Sequence, residues 1–433
     1  MNVQNICMLL AVAFSLGAYA TAPRITVTGL AQDAATRRVT ATYRLHDAPA
    51  VVTVSFLTND APVDASDCAY VGGDANRLVT DLDADLSINW TPRPGLFGDA
   101  ARLSVRISAW TVDAPPDYMD IGLSVSNCVR YYVSADAVPG GVTNIAYKTD
   151  RLLMRKIPAR NVVWTMGSPG DEPGRNAESA YLEIQHKVKL TSDYYMAIYP
   201  TTQRQSRLLG RSGVSFGANE SDFSQPGYHG NPDFKPMDKI SLNKLRGYAN
   251  ASWPGWPSLG HEVKPDTTIA LARSLTGVEL DLPTEAQWEY ACRAGAATPF
   301  NNGATALNSK DVLDVCWFGS NSTTNAPDGT TAAQPHEVGL KEPNAWGLYD
   351  VHGNLYEWCL DRVVDNVERY NEPGKVYVDP VGTNDVNVIK FVIRGGNYNR
   401  GNAGQCRSAY ATSTWADYKG YVGYRLCCPA IAK

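Results

Sequence analysis

Four stretches in the first third of the chain alternate polar and apolar residues with a period of two. They are Val39-Thr-Ala-Thr-Tyr43, Ala50-Val-Val-Thr-Val-Ser-Phe56, Leu86-Ser-Ile-Asn-Trp90 and Ala101-Arg-Leu-Ser-Val-Arg-Ile-Ser-Ala-Trp110. They are rich in β-branched and aromatic residues, which fit a pleated surface with one buried face. Asn59-Asp60, Gly72-Gly73-Asp74 and Pro92-Arg-Pro-Gly95 separate them with turn chemistry. Short strands at this spacing predict an all-β sandwich over residues 22–135. Ala137-Val-Pro-Gly-Gly141 reads as the junction to a second block, residues 145–433.

The second block has few helix signals. Ser241 to Tyr248 is one. Leu282-Pro-Thr-Glu-Ala-Gln-Trp-Glu-Tyr-Ala-Cys-Arg-Ala-Gly295 is the stronger: Thr284 can cap it, Gln287 closes a capping box, Gly295 is placed to end it, and Trp288 and Ala291 share one inward face. Residues 344–358, Asn-Ala-Trp-Gly-Leu-Tyr-Asp-Val-His-Gly-Asn-Leu-Tyr-Glu-Trp, follow neither period. That mixture predicts an ordered loop whose carbonyls and carboxylates turn inward, as they do around a hard cation.

Composition narrows the class. A chain of 433 residues implies more than one domain. The net charge of -5, with no long basic run, argues against a nucleic-acid partner. Residues Ile6 to Leu16 are an apolar stretch followed by Ala18-Tyr19-Ala20, a small-residue cleavage pattern. This predicts a signal peptide over residues 1–20 and export to the periplasm or the exterior, although Met1 to Asn5 carries no Lys or Arg. No other segment is apolar for long enough to suggest an integral membrane span. Without Cys7, the cysteines are Cys68, Cys128, Cys292, Cys316, Cys359, Cys406, Cys427 and Cys428, an even set that suggests disulfides in an exported chain. Cys68 and Cys128, alone in the β-block, are one expected bridge. No C-x-x-C and no zinc spacing occurs, and no nucleophile elbow or Walker loop.

Six landmarks follow one another in order: Trp164-Thr-Met-Gly-Ser168, Leu282 to Tyr290, the run at 344–358, Arg394-Gly-Gly-Asn-Tyr398, Cys406-Arg-Ser-Ala409 and Gly423-Tyr-Arg-Leu426. Together they resemble the formylglycine-generating enzyme family, the sulfatase-modifying factor domain, over roughly residues 150–430. The resemblance implies an α+β, C-type-lectin-like fold with little regular secondary structure. The block before it resembles fibronectin-type-III or immunoglobulin-like modules at the level of fold alone. Most landmark residues read as scaffold: the glycines supply backbone conformations, and Arg394 and Arg425 bond buried carbonyls or carboxylates.

Enzymes of this family oxidise a sulfatase cysteine with copper held by two thiolates, which suit soft Cu(I). Counted from Arg394, those positions hold Arg400 and Gln405 here, so copper is not expected and no catalytic residue is assigned. Cys406 lies one residue beyond; were that stretch extended, it would face away from the site. Cys292–Cys406 is the preferred second bridge, with Cys316 and Cys359 as other partners. The resemblance also implies a structural calcium, held by the side chains of Asp350 and Glu357 and the carbonyls of Gly353 and Leu355. Asp171, Glu172 and Glu178 read as a solvated acidic loop. Two functions follow. One is an exported family member without copper chemistry that binds or assembles with a protein or glycan ligand. Its contact surfaces would be the loop Gly210 to Lys235, with Phe216, Phe223, Tyr228 and Phe234, or Trp253-Pro-Gly-Trp256. The other is an oxidoreductase with a non-standard metal site.

Overall fold

The computed structural model describes the chain except residues 1–11, 15–20, 60, 64–66, 96–102, 176, 211–229, 248–262, 326–330, 366–367, 384–387, 400 and 433. The chain divides into two compact units. The first comprises Met1–Asp120, Val129–Asn144 and Ala430–Lys433, and the second Ile121–Cys128 and Ile145–Pro429. Residues 121–128 thus belong with the second unit and the last four residues with the first.

In the first unit the alternating stretches are strands. We label β1 Arg24–Gln32, β2 Val39–His46, β3 Ala50–Thr58, β4 Cys68–Gly73, β5 Leu86–Pro92 and β6 Leu103–Thr111. One antiparallel sheet runs β1-β2-β5-β4. The other is built on the β3–β6 pair. Residues two apart on β2 (Val39, Ala41, Tyr43, Leu45) and on β5 (Leu86, Ile88, Trp90) are buried, so each strand turns one face to the core. Phe56 of β3 stacks on Trp90 of β5 with ring centroids 4.8 Å apart, which pins one sheet over the other. Burying such a side chain contributes about 1.5–3 kcal/mol each. β1 and β4 are less plainly patterned, because much of their length is exposed on both faces.

The second unit is rich in irregular structure. Its elements used below are β7 His186–Leu190, α1 Leu242–Arg246, α2 Glu285–Arg293, β8 Tyr356–Arg362, β9 Lys390–Arg394, β10 Ala411–Trp415 and β11 Val422–Gly423. The last four form one sheet in the order β10-β9-β8-β11. Both expected helices form. Ser241 caps α1. Thr284 and Gln287 close the capping box of α2, and Ala294 at φ 45° and Gly295 at φ 93° both take positive φ where it ends. All seven residues of β8 are buried, so two-sided burial rather than alternation explains its mixed sequence. Among the described residues no helix is long and apolar enough to cross a membrane.

Candidate functional site

Helix α2 carries carboxylates into the core of the second unit. Glu285 and Glu289 are one turn apart and almost fully buried. Opposite them β9 ends in Arg394, which is wholly buried. Its Nη2 donates to Glu285 Oε1 at 2.6 Å and lies 3.0 Å from Glu289 Oε2. Its Nη1 donates to the carbonyls of Ser408 and Ala409 at 3.1 and 3.0 Å. Arg369 Nη2 takes Glu285 Oε2 at 2.7 Å, and Arg293 Nε takes Glu289 Oε1 at 2.8 Å. Three arginines and two glutamates thus share one buried network. Burial pushes the Glu285 carboxyl up, but Arg369 and Arg394 outweigh it and hold it below its ordinary value.

A second knot joins Arg407 to Glu183, with Nη1 on Oε2 at 2.9 Å and Nη2 on Oε1 at 3.0 Å, and to Glu172. This corrects the reading of Glu172 as part of a solvated loop, for its carboxylate neutralises a buried guanidinium. Asp171 is exposed as expected.

Asp361 of β8 accepts from the Glu285 amide at 2.5 Å. Burial and the neighbouring Glu285 charge push its carboxyl up to about 7. A raised carboxyl pKa favours the protonated fold. Its contribution is therefore present below the unfolded value near 3.8 and is lost as pH rises through about 7. Asp361→Asn, which keeps an acceptor without the charge, is expected to be more stable than the parent by about 1–3 kcal/mol near pH 8. The gap should close on acidification to about pH 4. Urea titrations across that range check this; a variant less stable at the alkaline end rejects it.

The run at 344–358 is an ordered loop as far as Leu355, interrupted by the short strand His352–Gly353, whereas its last three residues, expected in the loop, open strand β8. Asp350, Gly353 and Asn354 all have positive φ, of 53°, 81° and 63°. Gly353 has no room for a side chain, since a Cβ would lie 1.9 Å from the Trp317 carbonyl oxygen. Asn354 accepts from the His336 amide at 3.0 Å and donates to the His336 carbonyl at 3.2 Å.

The four expected cation ligands meet different surroundings. Glu357 accepts from Trp288 Nε1 on Oε2 at 2.7 Å. Arg425 grips the same carboxylate, with Nε 3.2 and 3.1 Å from its two oxygens and Nη2 2.8 Å from Oε1. Asp350 Oδ2 accepts from the Gly339 amide at 2.7 Å, while its Oδ1 is buried without a hydrogen-bond partner. Gly353 and Leu355 are buried in the loop. One orphaned carboxylate oxygen alone would suit a cation, but the set does not. Glu357 is spent on Arg425, and a dication beside that guanidinium would meet like charge. The donors as arranged do not fit calcium.

At the family's copper positions, Arg400 lies outside the described residues. Gln405 is in the 3-10 turn Ala403–Cys406, where its Oε1 accepts from Tyr356 Oη at 3.1 Å. The turn is helical rather than extended, so the expected reason for Cys406 facing away is corrected. It turns inward because the 3-10 turn rotates it into a core with Phe300 and Cys316. Among the described residues, no three His, Cys, Asp or Glu side chains are grouped to hold a metal. His352 is buried and satisfied: Nδ1 donates to the Cys406 carbonyl at 2.7 Å and Nε2 accepts from the Asn301 amide at 3.2 Å. Burial lowers it to about 4.

No disulfide joins the eight described cysteines. The expected Cys292–Cys406 bridge is not made, because Cys292 Sγ points at the Val351 carbonyl, 3.7 Å away, and at His352 Nε2. Nor is Cys68–Cys128 made; Cys128 Sγ packs by Gly122. The expected contact surfaces, Trp253 to Trp256 and most of the loop from Gly210 to Lys235, lie outside the described residues.

Comparison with known proteins decides the family. Residues 157–429 match the family described as Sulfatase-modifying factor enzyme 1-like domain. The chain belongs to this family. The formylglycine-generating enzyme of Thermomonospora curvata is 39% identical over 84 residues, 18% of this chain and 26% of that enzyme. That of Bos taurus is 38% identical over 82 residues, 18% of this chain and 21% of that enzyme. The matched stretches thus span about a quarter of these enzymes or less. Chaperone protein LppX of Paenibacillus barcinonensis is 24% identical over 211 residues, 43% of this chain and 68% of that protein. The solved structure of PvdO from Pseudomonas aeruginosa aligns with a TM-score of 0.48 at 23% identity, covering 64% of this chain and 94% of that one. The sulfatase-modifying factor domain here is thus held together by buried arginine–carboxylate pairs, and the β-sandwich precedes it.

Proposed function

We propose that this chain is an exported sulfatase-modifying factor family member that binds or assembles with a protein or glycan partner and does not oxidise cysteine through copper. The observation that carries this reading is Gln405. It stands at the second thiolate position of the family's enzymes, and its amide oxygen is occupied by the Tyr356 hydroxyl. The neighbouring thiol, Cys406, is wholly buried and turned into the core, out of reach of a substrate peptide. A glutamine and an inward thiol cannot supply the two sulfurs that Cu(I) requires. The match to a protein named for chaperone activity lends the assembly role further support. Calcium is left out of this reading because of the Glu357–Arg425 pair.

The test is an anaerobic Cu(I) titration of the purified chain against a competing chelator, followed by aerobic incubation with a cysteine peptide carrying a sulfatase modification motif. The expected result is no stoichiometric high-affinity copper and no loss of the peptide thiol to an aldehyde. Tight one-to-one copper with aldehyde formation would overturn the proposal and return the chain to the oxidoreductases.

A further inference from the structure

The core around the 3-10 turn Ala403–Cys406 holds two thiols from distant parts of the chain. Cys316 follows the short helix Lys310–Val315, and Cys406 ends the turn. Both are wholly buried, in a cluster with Phe300, Val312, Phe318 and Ala403. The side chains meet there, the two thiols lying within hydrogen-bonding reach of each other. Gly396 leaves the space that makes this possible, for a Cβ there would come within 2.5 Å of Cys406 Sγ. The other thiols nearby are engaged differently: Cys292 faces the Val351 carbonyl, and Cys359 is buried within β8.

We propose that Cys316 and Cys406 form a disulfide when the chain folds in an oxidising compartment. The reaction is a two-step exchange with a donor disulfide, either a small-molecule disulfide or a thiol oxidase. The Cys316 thiolate attacks one donor sulfur, breaks the donor S–S bond and releases one donor thiolate. The Cys406 thiolate then attacks the Cys316 sulfur of the mixed disulfide and releases the second. The protein pair loses two protons and two electrons, and the donor disulfide is reduced to two thiols. Order of events matters. Burial in the closed core pushes the Cys316 thiol well above its ordinary value, so the exchange belongs to the folding chain, before the cluster shuts. Once made, the bond ties the turn bearing Gln405 to the strand that pairs with His352 and Gly353. It would therefore fix the stretch where the family's enzymes keep their copper thiolates.

The test refolds the full chain in a reduced/oxidised glutathione buffer, alkylates the denatured product, and maps it by non-reducing proteolysis and mass spectrometry. The expected product is a cross-linked peptide pair containing Cys316 and Cys406, two hydrogens lighter than the reduced pair, with Cys292 and Cys359 alkylated. Folded protein with both Cys316 and Cys406 alkylated, or with Cys406 joined to Cys292, overturns the proposal. A second measurement separates the bond from simple packing. The denaturation midpoint of the oxidised parent should fall on adding reductant. The doubly substituted Cys316→Ala, Cys406→Ala chain should show no such fall. A reductant effect that persists in the double variant would place the responsible bond elsewhere.

Discussion

Replacing Glu285 by alanine is expected to cost the folded state about 3–5 kcal/mol, and in a chain of ordinary marginal stability this leaves little folded protein. The size follows from what the side chain holds. Its two oxygens take Arg394 and Arg369 separately, at 2.6 and 2.7 Å. Arg394 is wholly buried and the Arg369 side chain is 12% exposed, so neither can recover its hydration by turning outward. Alanine removes one negative charge, takes from Arg369 the carboxylate it is paired with, and leaves Arg394 with Glu289. Leaving a buried charge uncompensated is far more costly than a shape-matched removal of both partners. Glu285→Gln keeps the acceptor oxygen and the packing of α2 but not the charge, so it should fall between parent and alanine variant. Urea denaturation of the three proteins checks this. An alanine variant within about 0.5 kcal/mol of the parent would mean that the network is solvated and the pairing incidental.

Much of the fold was legible and much of the network was not, for a physical reason that particular residues show. Strand β5 declared itself because Leu86, Ile88 and Trp90 alternate with polar neighbours, and one buried face imposes that period. Helix α2 declared itself through Thr284 and Gln287, which act on one another three residues apart. Local chemistry leaves local marks. The charge network leaves none, because its partners are remote: Glu285 and Arg394 are 109 positions apart, Glu183 and Arg407 224. Glu172 shows the consequence. Among Asp, Pro and Gly it reads as solvated, and only Arg407, 235 positions away, makes it a core residue. The cysteines follow the same rule. Spacing could not choose among partners for Cys406, and the turn that points it at Cys316 depends on a cradle at Gly396. Gln405 was legible by counting from Arg394. Its hydrogen bond to Tyr356 needed the fold.

Glu357→Ala is expected to destabilise the chain by about 3–5 kcal/mol, and by the same amount in calcium as in chelator. The residue was expected to ligate an ion, and an ion would predict a different result. A calcium ligand raises the parent's melting temperature as calcium is added, by mass action on the folded state, and its loss abolishes that dependence. A partner of Arg425 has no such signature. Its loss leaves a wholly buried guanidinium with backbone carbonyls, those of Ala197, Tyr349 and Asp350, as acceptors in place of a carboxylate, and strips Trp288 Nε1 of its bond. The two accounts therefore separate in the parent protein before any substitution is made. Matching melting curves in calcium and chelator support the ion pair, and a calcium-dependent rise of several degrees in the parent would restore the cation. A second substitution sharpens the point. If Glu357 exists to neutralise Arg425, then Glu357→Gln combined with Arg425→Met should recover part of what either change alone loses, because the buried charge goes with its partner. If Glu357 exists to hold calcium, removing Arg425 would relieve repulsion and tighten the ion instead. The same pair of residues thus gives opposite signs of coupling under the two accounts, in a measurement that needs no knowledge of what the protein binds.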